Sequence, residues 1–306
     1  MTRPPLSASR ATLPRYTRPH EDVAAAPADT IIPFAQTDRA IADSALSEGS
    51  RALLQGLLRI GSARDFPGGG AGIEYGGLLK TAARPEYIAG HVAEAADHLR
   101  QRQVDLLLVP GMSGYPIGAM YALAAGIPAL LLKKSRVGEE PPSAYPTGAF
   151  IIPSYTGEGD VVMQADPAAV ADIIDTILTR KLAAQTDQPT VDIELRVAGA
   201  DDIIDKATMS TAVGESALAV GEAAMREWFA QRRTRAGDDR RVMSRVSVVA
   251  FVTPLIKVYN HPYDHLWQAF RLRPFAGLDV TGVCLEPPAI GVAGIGAVAF
   301  ANGAAG

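Results

Sequence analysis

The chain has 306 residues, a formal net charge of −4 and 48% hydrophobic residues, enough apolar material for the core of one large domain or two small ones. The negative charge argues against a protein held on nucleic acid by phosphate contacts. No apolar run reaches the ~18 residues that span a bilayer, and the first residues lack the apolar region of a secretory signal. The single cysteine, Cys284, is interpreted as a core strand residue rather than a nucleophile. It rules out an internal disulfide, so we expect a cytoplasmic protein.

The N-terminal part of the chain contains one predicted helix between two irregular stretches. Residues 1–28 are rich in Pro, Ala, Ser and Arg without periodicity, which indicates a flexible tail before a single domain over 29–306. Apolar residues at helical spacing predict a helix over 37–60. Residues 67–72, PGGGAG, are interpreted as a plain loop, because the Lys-Ser/Thr pair of a phosphate-binding loop does not follow them.

From residue 85 onward, predicted strands and helices alternate. Helices are predicted over 85–100, 116–125 and 167–180, with Gly126 closing the second and Asp166 capping the third. Apolar strands are predicted over 104–109 and 127–132, followed by a strand pair over 149–152 and 160–163. The polar residues 135–147 between them predict a long mobile loop.

The C-terminal half continues the alternation around polar connectors at 183–190 and 234–241. A helix is predicted to about residue 233, a strand over 246–252, a short helix over 263–271 and strands within 278–300. Apolar strands that alternate with helices predict an α/β fold with a mainly parallel sheet covered on both faces.

The most informative stretch is 194–211, ELRVAGADDIIDKATMST. A short apolar strand leads into Asp201 and Asp202, and a hydroxyl-rich helix start follows at Thr208, Ser210 and Thr211. Backbone amides at a helix N-terminus bind anions, and open α/β sheets bind ligands at the carboxyl ends of their strands. A diacid beside an anion site predicts a phosphorylated sugar, with its phosphate on the amides and its hydroxyls on the carboxylates.

Two other strand ends carry groups suited to an anion. The strand over 104–109 ends in the tight turn Pro110 to Gly114, which adds the hydroxyl of Ser113 to an amide-rich helix start. The next strand ends in Lys133 and Lys134, with Arg136 after them. Paired cations at this position neutralise a phosphate or pyrophosphate. Each signal is weak alone, but the three converge on one edge of the predicted sheet.

Together, these three strand ends resemble the type I phosphoribosyltransferases, most closely the adenine phosphoribosyltransferase-like branch. The resemblance covers about 72–215 and includes VDLLLVPGMSG, LLLKK and ADDIIDKATMST. It implies a type I phosphoribosyltransferase-like sheet with a hood built from N- and C-terminal additions. By the same resemblance, the residues that bind phosphoribosyl diphosphate (PRPP) or its pyrophosphate are Met112, Ser113, Gly114, Asp205, Lys206, Ala207, Thr208, Met209 and Ser210. The implied catalytic residues are Asp201, Asp202, Lys133 and Lys134.

The function that the resemblance implies is transfer of ribose 5-phosphate from PRPP to a nucleobase or a specialised small-molecule acceptor, with release of pyrophosphate. Mg²⁺ is the implied cofactor, and Asp201 and Asp202 meet it indirectly, through Mg-PRPP. The same carboxylates favour the positive charge of an oxocarbenium-like ribose. Residues 135–147 are expected to close over the site, with Glu139 and Glu140 as solvated charges. A homodimer without nucleic-acid or membrane partners is expected.

One dipeptide departs from the family pattern. Lys206 and Ala207 stand where the family has Thr-Gly in the loop around the 5′-phosphate, and alanine tolerates a positive φ poorly. This departure keeps a second hypothesis open, a PRPP-sensing or regulatory protein without turnover. Neither a helix-turn-helix segment nor a basic patch supports that alternative.

The acceptor site is poorly determined by the sequence. Four aromatic residues are candidates for stacking on a planar acceptor but are interpreted as core residues: Phe251, Tyr259, Trp267 and Phe275. His261 and His265 are not expected to bind a metal, because Pro262 interrupts their common helical face. Lys257 is interpreted as an exposed lysine.

Overall fold

The structure is a computed structural model that describes residues 31–33, 46–60, 62–65, 71–74, 84–153, 159–185, 190–236, 241–257, 261–285 and 295–300. The predicted tail over 1–28 lies outside the described residues, as does Tyr259. The turn between the predicted strand pair is described only at its last residue, Gly159.

The N-terminal part forms β1 (Ile31–Pro33), α1 (Glu48–Ile60), β2 (Ser62–Asp65), β3 (Ala71–Glu74) and α2 (Pro85–Gln101). The helix predicted over 37–60 is confirmed from Glu48 onward, and residues 34–45 lie outside the described part. The loop prediction for 67–72 is wrong at its last two residues. Ala71 and Gly72 pair with Asp65 and Arg64 in an antiparallel hairpin.

The middle part forms β4 (Leu106–Pro110), α3 (Tyr115–Ala125), β5 (Ala129–Arg136), β6 (Phe150–Pro153), β7 (Asp160–Gln164) and α4 (Pro167–Ala183). The predicted ends of two helices are confirmed. Gly126 closes α3 with a left-handed φ of 71°, and Asp166 Oδ1 accepts hydrogen bonds from the N–H groups of Ala168 and Ala169. β5 is longer than predicted, because residues 133–136 pair with β7. The loop predicted over 135–147 is therefore wrong at its first two residues, and Lys133 and Lys134 lie within the strand and not after its end.

The C-terminal part forms β8 (Thr190–Ala200), β9 (Ile203–Ile204), α5 (Thr208–Ala236), β10 (Arg241–Lys257), α6 (Pro262–Phe270), β11 (Phe275–Leu285) and β12 (Ile295–Phe300). β10 is much longer than the strand predicted over 246–252. It pairs along the whole of β8 and then with β9 and β11. Arg241, the last residue of the predicted connector over 234–241, belongs to this strand because it pairs with Thr190.

The sheet has the strand order β1-β12-β11-β10-β8-β4-β5-β7-β6, with β9 paired to β10. The strands from β11 to β5 in this order are parallel. Antiparallel strands flank them at both edges, so the described N- and C-terminal additions extend the sheet through β1 and β12. The predicted α/β class and the order of elements from β4 to α5 are confirmed.

Both faces of the sheet are buried by helices. One face packs against α1, α2 and α3 through residues such as Leu54, Leu99 and Tyr121, and the other packs against α4 and α5. A smaller cluster joins α6 to the ends of β9 and β10. This packing brings the carboxyl ends of β4, β5, β8 and β10 to one edge of the sheet. Among the helices described, none combines the length and the apolar character needed to cross a bilayer.

Candidate functional site

The diacid lies directly after β8, at the carboxyl edge of the sheet. The N–H of Asp201 donates to the carbonyl of Val252 on β10, at 3.2 Å. Asp201 Oδ1 accepts the backbone N–H of Asp202 at 2.9 Å, and this bond holds the Asp201 carboxylate against the backbone of Asp202. Asp202 is buried and Asp201 is half-buried, so both charges lie at the boundary between the core and the cleft.

The turn between β4 and α3 meets this diacid. The hydroxyl of Ser113 donates to Asp202 Oδ1 at 3.0 Å, although 89 positions separate the two residues. A Cβ at Gly114 would lie 3.3 Å from Asp201 Oδ1 and 2.9 Å from the carbonyl of Pro110, so this close approach requires glycine. The peptide bond between Gly111 and Met112 is cis. The structure therefore joins two of the predicted site segments.

The two lysines of β5 lie at the level of the same turn. Leu132 pairs with Pro110 in the sheet, and its carbonyl accepts a hydrogen bond from the hydroxyl of Tyr115. Successive strand residues point to opposite faces of a sheet. Because Ala129 packs against the cluster that contains α3, the alternation places Lys133 on the α3 side and Lys134 on the other side. The structure thus separates the predicted basic pair.

The loop from Asp205 to Ala207 links β9 to α5. It is named the phosphate loop after the role that the sequence resemblance implies for it. Ala207 adopts a left-handed φ of 60°, and its methyl group is buried in the cluster that contains α6. Where the Thr-Gly pattern has glycine, this chain therefore has an alanine that adopts the left-handed conformation. The first intrahelical bond of α5 runs from the N–H of Thr211 to the carbonyl of Ala207 at 2.8 Å. The N–H groups of Thr208, Met209 and Ser210 precede it and are the donors that a helix start offers to an anion.

Lys257 is part of this site, and its interpretation as an exposed lysine is wrong. Its residue is 5% exposed, because β10 continues to this position between β9 and β11. Its Nζ lies 3.7 Å from Asp205 Oδ2. Burial lowers the pKa of Lys257, while Asp205 acts to raise it. The continuous apolar run before Lys257 was a sequence signal for a buried strand on both faces.

The aromatic acceptor candidates are dispersed. Phe251 is buried against Phe270, with ring centroids 5.5 Å apart, and Phe275 stacks between His91 and His98, so both are packing residues as predicted. The same interpretation is wrong for Trp267, which is 54% exposed on the outer side of α6.

His265 has a partner that the sequence did not predict. Its Nδ1 lies 2.9 Å from the carbonyl oxygen of Lys206 in the phosphate loop. Beside it, a groove of about 620 Å³ opens between β6, the first turns of α5, and α6, with Thr208, Glu215 and His265 on its walls. The groove provides space for a ligand next to the phosphate loop. Within the described ranges, three or more acidic, His or Cys side chains do not gather as a metal site.

Comparison with known proteins finds no matching family model and no matching curated protein, but it finds similar solved structures. Adenine phosphoribosyltransferase from Giardia lamblia, complexed with 9-deazaadenine, is 13% identical over 71% of this chain and 92% of its own, with a TM-score of 0.41. The enzyme from Trypanosoma brucei, in complex with AMP, pyrophosphate and ribose-5-phosphate, is 14% identical over 76% and 80%, with a TM-score of 0.42. The enzyme from Rhodothermus marinus is 18% identical over 75% and 97%, with a TM-score of 0.41.

Proposed function

We propose that this protein is a Mg²⁺-dependent phosphoribosyltransferase, which moves ribose 5-phosphate from PRPP to a nucleobase or a specialised small-molecule acceptor. The observation that carries the proposal is the hydrogen bond between Ser113 and Asp202. It brings an amide-rich turn and a diacid together at the carboxyl edge of a parallel sheet, and the phosphate loop follows the diacid along the chain. Two anion sites on either side of a pair of carboxylates match a sugar that carries phosphate groups at both ends.

Each part of the site has a role in this reaction. The phosphate loop and the start of α5 bind the 5′-phosphate, while the turn around Ser113 and the ammonium of Lys133 bind the diphosphate. The bond from the ribose anomeric carbon to the diphosphate oxygen breaks, and pyrophosphate leaves with the electron pair. The acceptor then forms the new bond to that carbon, and the proton that it loses passes to the departing pyrophosphate. Asp201 and Asp202 favour the electron-poor ribose between these two events.

Magnesium suits the carboxylates present, in an indirect role. Mg²⁺ prefers oxygen ligands and keeps several of its waters in sites shared with substrate phosphates. Asp201 and Asp202 offer carboxylate oxygens beside the proposed diphosphate site, and their role is to receive a metal that arrives on PRPP. When bound, the ion neutralises charge on the leaving diphosphate.

A second copy of the chain is proposed to complete the molecule as a homodimer.

Residues 137–147 are proposed to act as a lid. The lid follows β5, and its first residues, Val137 to Glu139, are exposed. Closure over the cleft excludes water, which otherwise competes with the acceptor for the anomeric carbon.

The test is pyrophosphate release from PRPP and Mg²⁺ across a panel of nucleobases and small heterocyclic, amine and hydroxyl acceptors. We expect release only with a particular acceptor, together with an equimolar ribosylated product detected by mass spectrometry. Absence of PRPP binding by calorimetry would contradict the proposal.

A PRPP-sensing protein without turnover is the second candidate function. The observation that favours it is the replacement of Thr-Gly by Lys206-Ala207 in the phosphate loop. Tight binding of PRPP without pyrophosphate release for any acceptor would support the sensor over the enzyme.

A further inference from the structure

The last residue of β10 and a residue of α6 contact two consecutive residues of the phosphate loop. Lys257 Nζ lies 3.7 Å from the carboxylate of Asp205, and His265 Nδ1 lies 2.9 Å from the carbonyl of Lys206. We propose that Lys257 and His265 are positioning residues, which hold the phosphate loop in the conformation that binds the 5′-phosphate. This inference rests on the proposed function and extends it to residues outside the motif.

The phosphate loop needs such support because of Ala207. A left-handed conformation is strained for a non-glycine residue, and Ala207 has a φ of 60°. Ala207 is buried in one hydrophobic cluster with Phe251, Ile256 and Leu266, which favours the buried position of its methyl group. Contacts at Asp205 and Lys206 restrain the backbone immediately before it. Packing and polar contacts together hold a conformation that glycine adopts without strain.

The contact from Lys257 comes from a rigid part of the sheet. Its neighbours in β10, Leu255 and Ile256, are buried and pair with both β9 and β11. A buried ammonium is unfavourable unless an opposite charge offsets it, and Asp205 is the charge in contact. Asp202 also attracts the ammonium, whereas Lys206 repels it. The ion pair therefore ties the side chain of Asp205 to the end of β10.

The contact from His265 comes from a fixed helix. Leu266 of α6 is fully buried, and the hydroxyl of Tyr263 donates to Asp279 Oδ1 on β11 at 2.5 Å. A carbonyl oxygen only accepts hydrogen bonds, so Nδ1 of His265 carries the proton in this contact. The imidazole thus donates to the carbonyl of Lys206 and anchors that peptide to α6.

Preorganisation of the phosphate loop lowers the conformational cost of binding. Loss of either contact should weaken PRPP binding, because the amides at the start of α5 then have to be ordered by the ligand. Acceptor binding should be much less affected, because the restrained residues lie in the phosphate loop.

The experiment uses the full chain and matched variants at each position. Lys257→Met and His265→Ala remove the contacts, Lys257→Arg keeps the charge, and His265→Asn keeps an N–H donor at the place of Nδ1. His261→Ala is the control, because His261 is an exposed residue at the start of the same helix. Thermal unfolding identifies any variant that fails to fold. If Lys257→Met does not fold, the two His265 variants alone test the proposal. They are expected to fold because His265 is exposed.

We expect Lys257→Met to raise the Kd and KM for PRPP at least tenfold and His265→Ala to raise them about threefold to tenfold, with the acceptor KM within twofold of the wild type. Lys257→Arg and His265→Asn should recover most of the loss, and His261→Ala should match the wild type. A PRPP Kd within twofold of the wild type in both contact-removing variants that fold would overturn the proposal.

Amide hydrogen exchange without ligand separates this proposal from the proposed function. Exchange over residues 205–210 should accelerate in Lys257→Met and His265→Ala and remain as in the wild type in His265→Asn and His261→Ala. If the wild type does not bind PRPP, the proposed function fails, while the exchange result still decides whether the two residues restrain the loop. Unchanged exchange in both contact-removing variants would overturn the restraint itself.

Discussion

Asp202 links two segments of the candidate site at the level of a single side chain. Its Oδ1 accepts the hydroxyl of Ser113, and its N–H donates to Asp201. An amide in its place keeps an oxygen that accepts from Ser113 but removes the negative charge. This substitution therefore separates the electrostatic role of the residue from its role in holding the turn.

The Asp202→Asn variant is expected to bind PRPP at least tenfold more weakly, a loss of about 1.4 kcal/mol or more, and to lose most pyrophosphate release. Its thermal unfolding temperature should remain within a few degrees of the wild type. Calorimetry with PRPP and Mg²⁺ and the release assay measure the effect, with Asp172→Asn on the exposed side of α4 as the control. If the Asp202→Asn variant kept the PRPP affinity and the turnover of the wild type, the diacid would not be the sugar site.

At the scale of elements, the pleat of β5 places two adjacent lysines on opposite faces of the sheet. The residues differ by one position in sequence, but Lys133 lies on the face that carries α3 and Lys134 on the opposite face. A basic pair predicted from the sequence therefore places one ammonium on the α3 face of the sheet instead of two.

Lys133→Met should raise the Kd for PRPP at least tenfold, whereas Lys134→Met should change it less than threefold, because only Lys133 lies on the side of the sheet proposed to bind the diphosphate. Titrations at two salt concentrations add a second readout, since loss of a phosphate contact reduces the salt dependence of binding. Equal effects of the two substitutions, or a larger effect at Lys134, would contradict the assignment of faces.

The packing of α2 against α3 and β11 contains a fully buried histidine. His91 Nε2 lies 2.6 Å from the hydroxyl of Tyr121, its ring stacks on Phe275, and its Nδ1 has no hydrogen-bond partner among the described residues. Burial lowers the pKa of His91 to about 3. The folded protein therefore keeps this side chain neutral, while the unfolded chain protonates it near pH 6.5.

The sign of the pH dependence follows from these two pKa values. Between pH 6.5 and about 3 the unfolded state binds the extra proton, so the free energy of unfolding should fall as the pH falls, by up to ~1.4 kcal/mol per pH unit from this residue. Urea unfolding at pH 7, 6, 5 and 4 measures the slope. His91→Gln should be less stable at pH 7 but show a shallower decrease below pH 6.5. Parallel curves for the two proteins would refute the role of His91.

At the scale of the whole molecule, α3 has an apolar surface on both sides. Ile117, Tyr121 and Ala122 face the core, yet Leu123 is 86% exposed. A helix that is apolar around its circumference is usually buried around its circumference. The outer side of α3 is therefore where we expect the second subunit of the proposed homodimer.

Leu123→Glu should convert the dimer into a monomer, because a carboxylate at the centre of an apolar interface loses its hydration without gaining a partner. Light scattering coupled to size exclusion, over a range of protein concentrations, gives the mass. Trp267→Glu, at an exposed aromatic residue on α6, should leave the mass unchanged. A wild-type protein that is monomeric throughout, or a Leu123→Glu variant that remains dimeric, would exclude this interface.

The sequence by itself determined the order of the elements from β4 to α5, and it placed the diacid and the turn around Ser113 directly after buried strands. Apolar periodicity and caps such as Asp166 and Gly126 are local signals, and they act through the nearest few residues. The tertiary structure alone decided that Lys257 is buried beside Asp205, that His265 contacts the carbonyl of Lys206, and that the pleat separates Lys133 from Lys134. These relations depend on strand register and on contacts between residues as far apart as 59 positions. Local sequence propensity does not predict such pairings, because each pairing depends on how distant segments pack together.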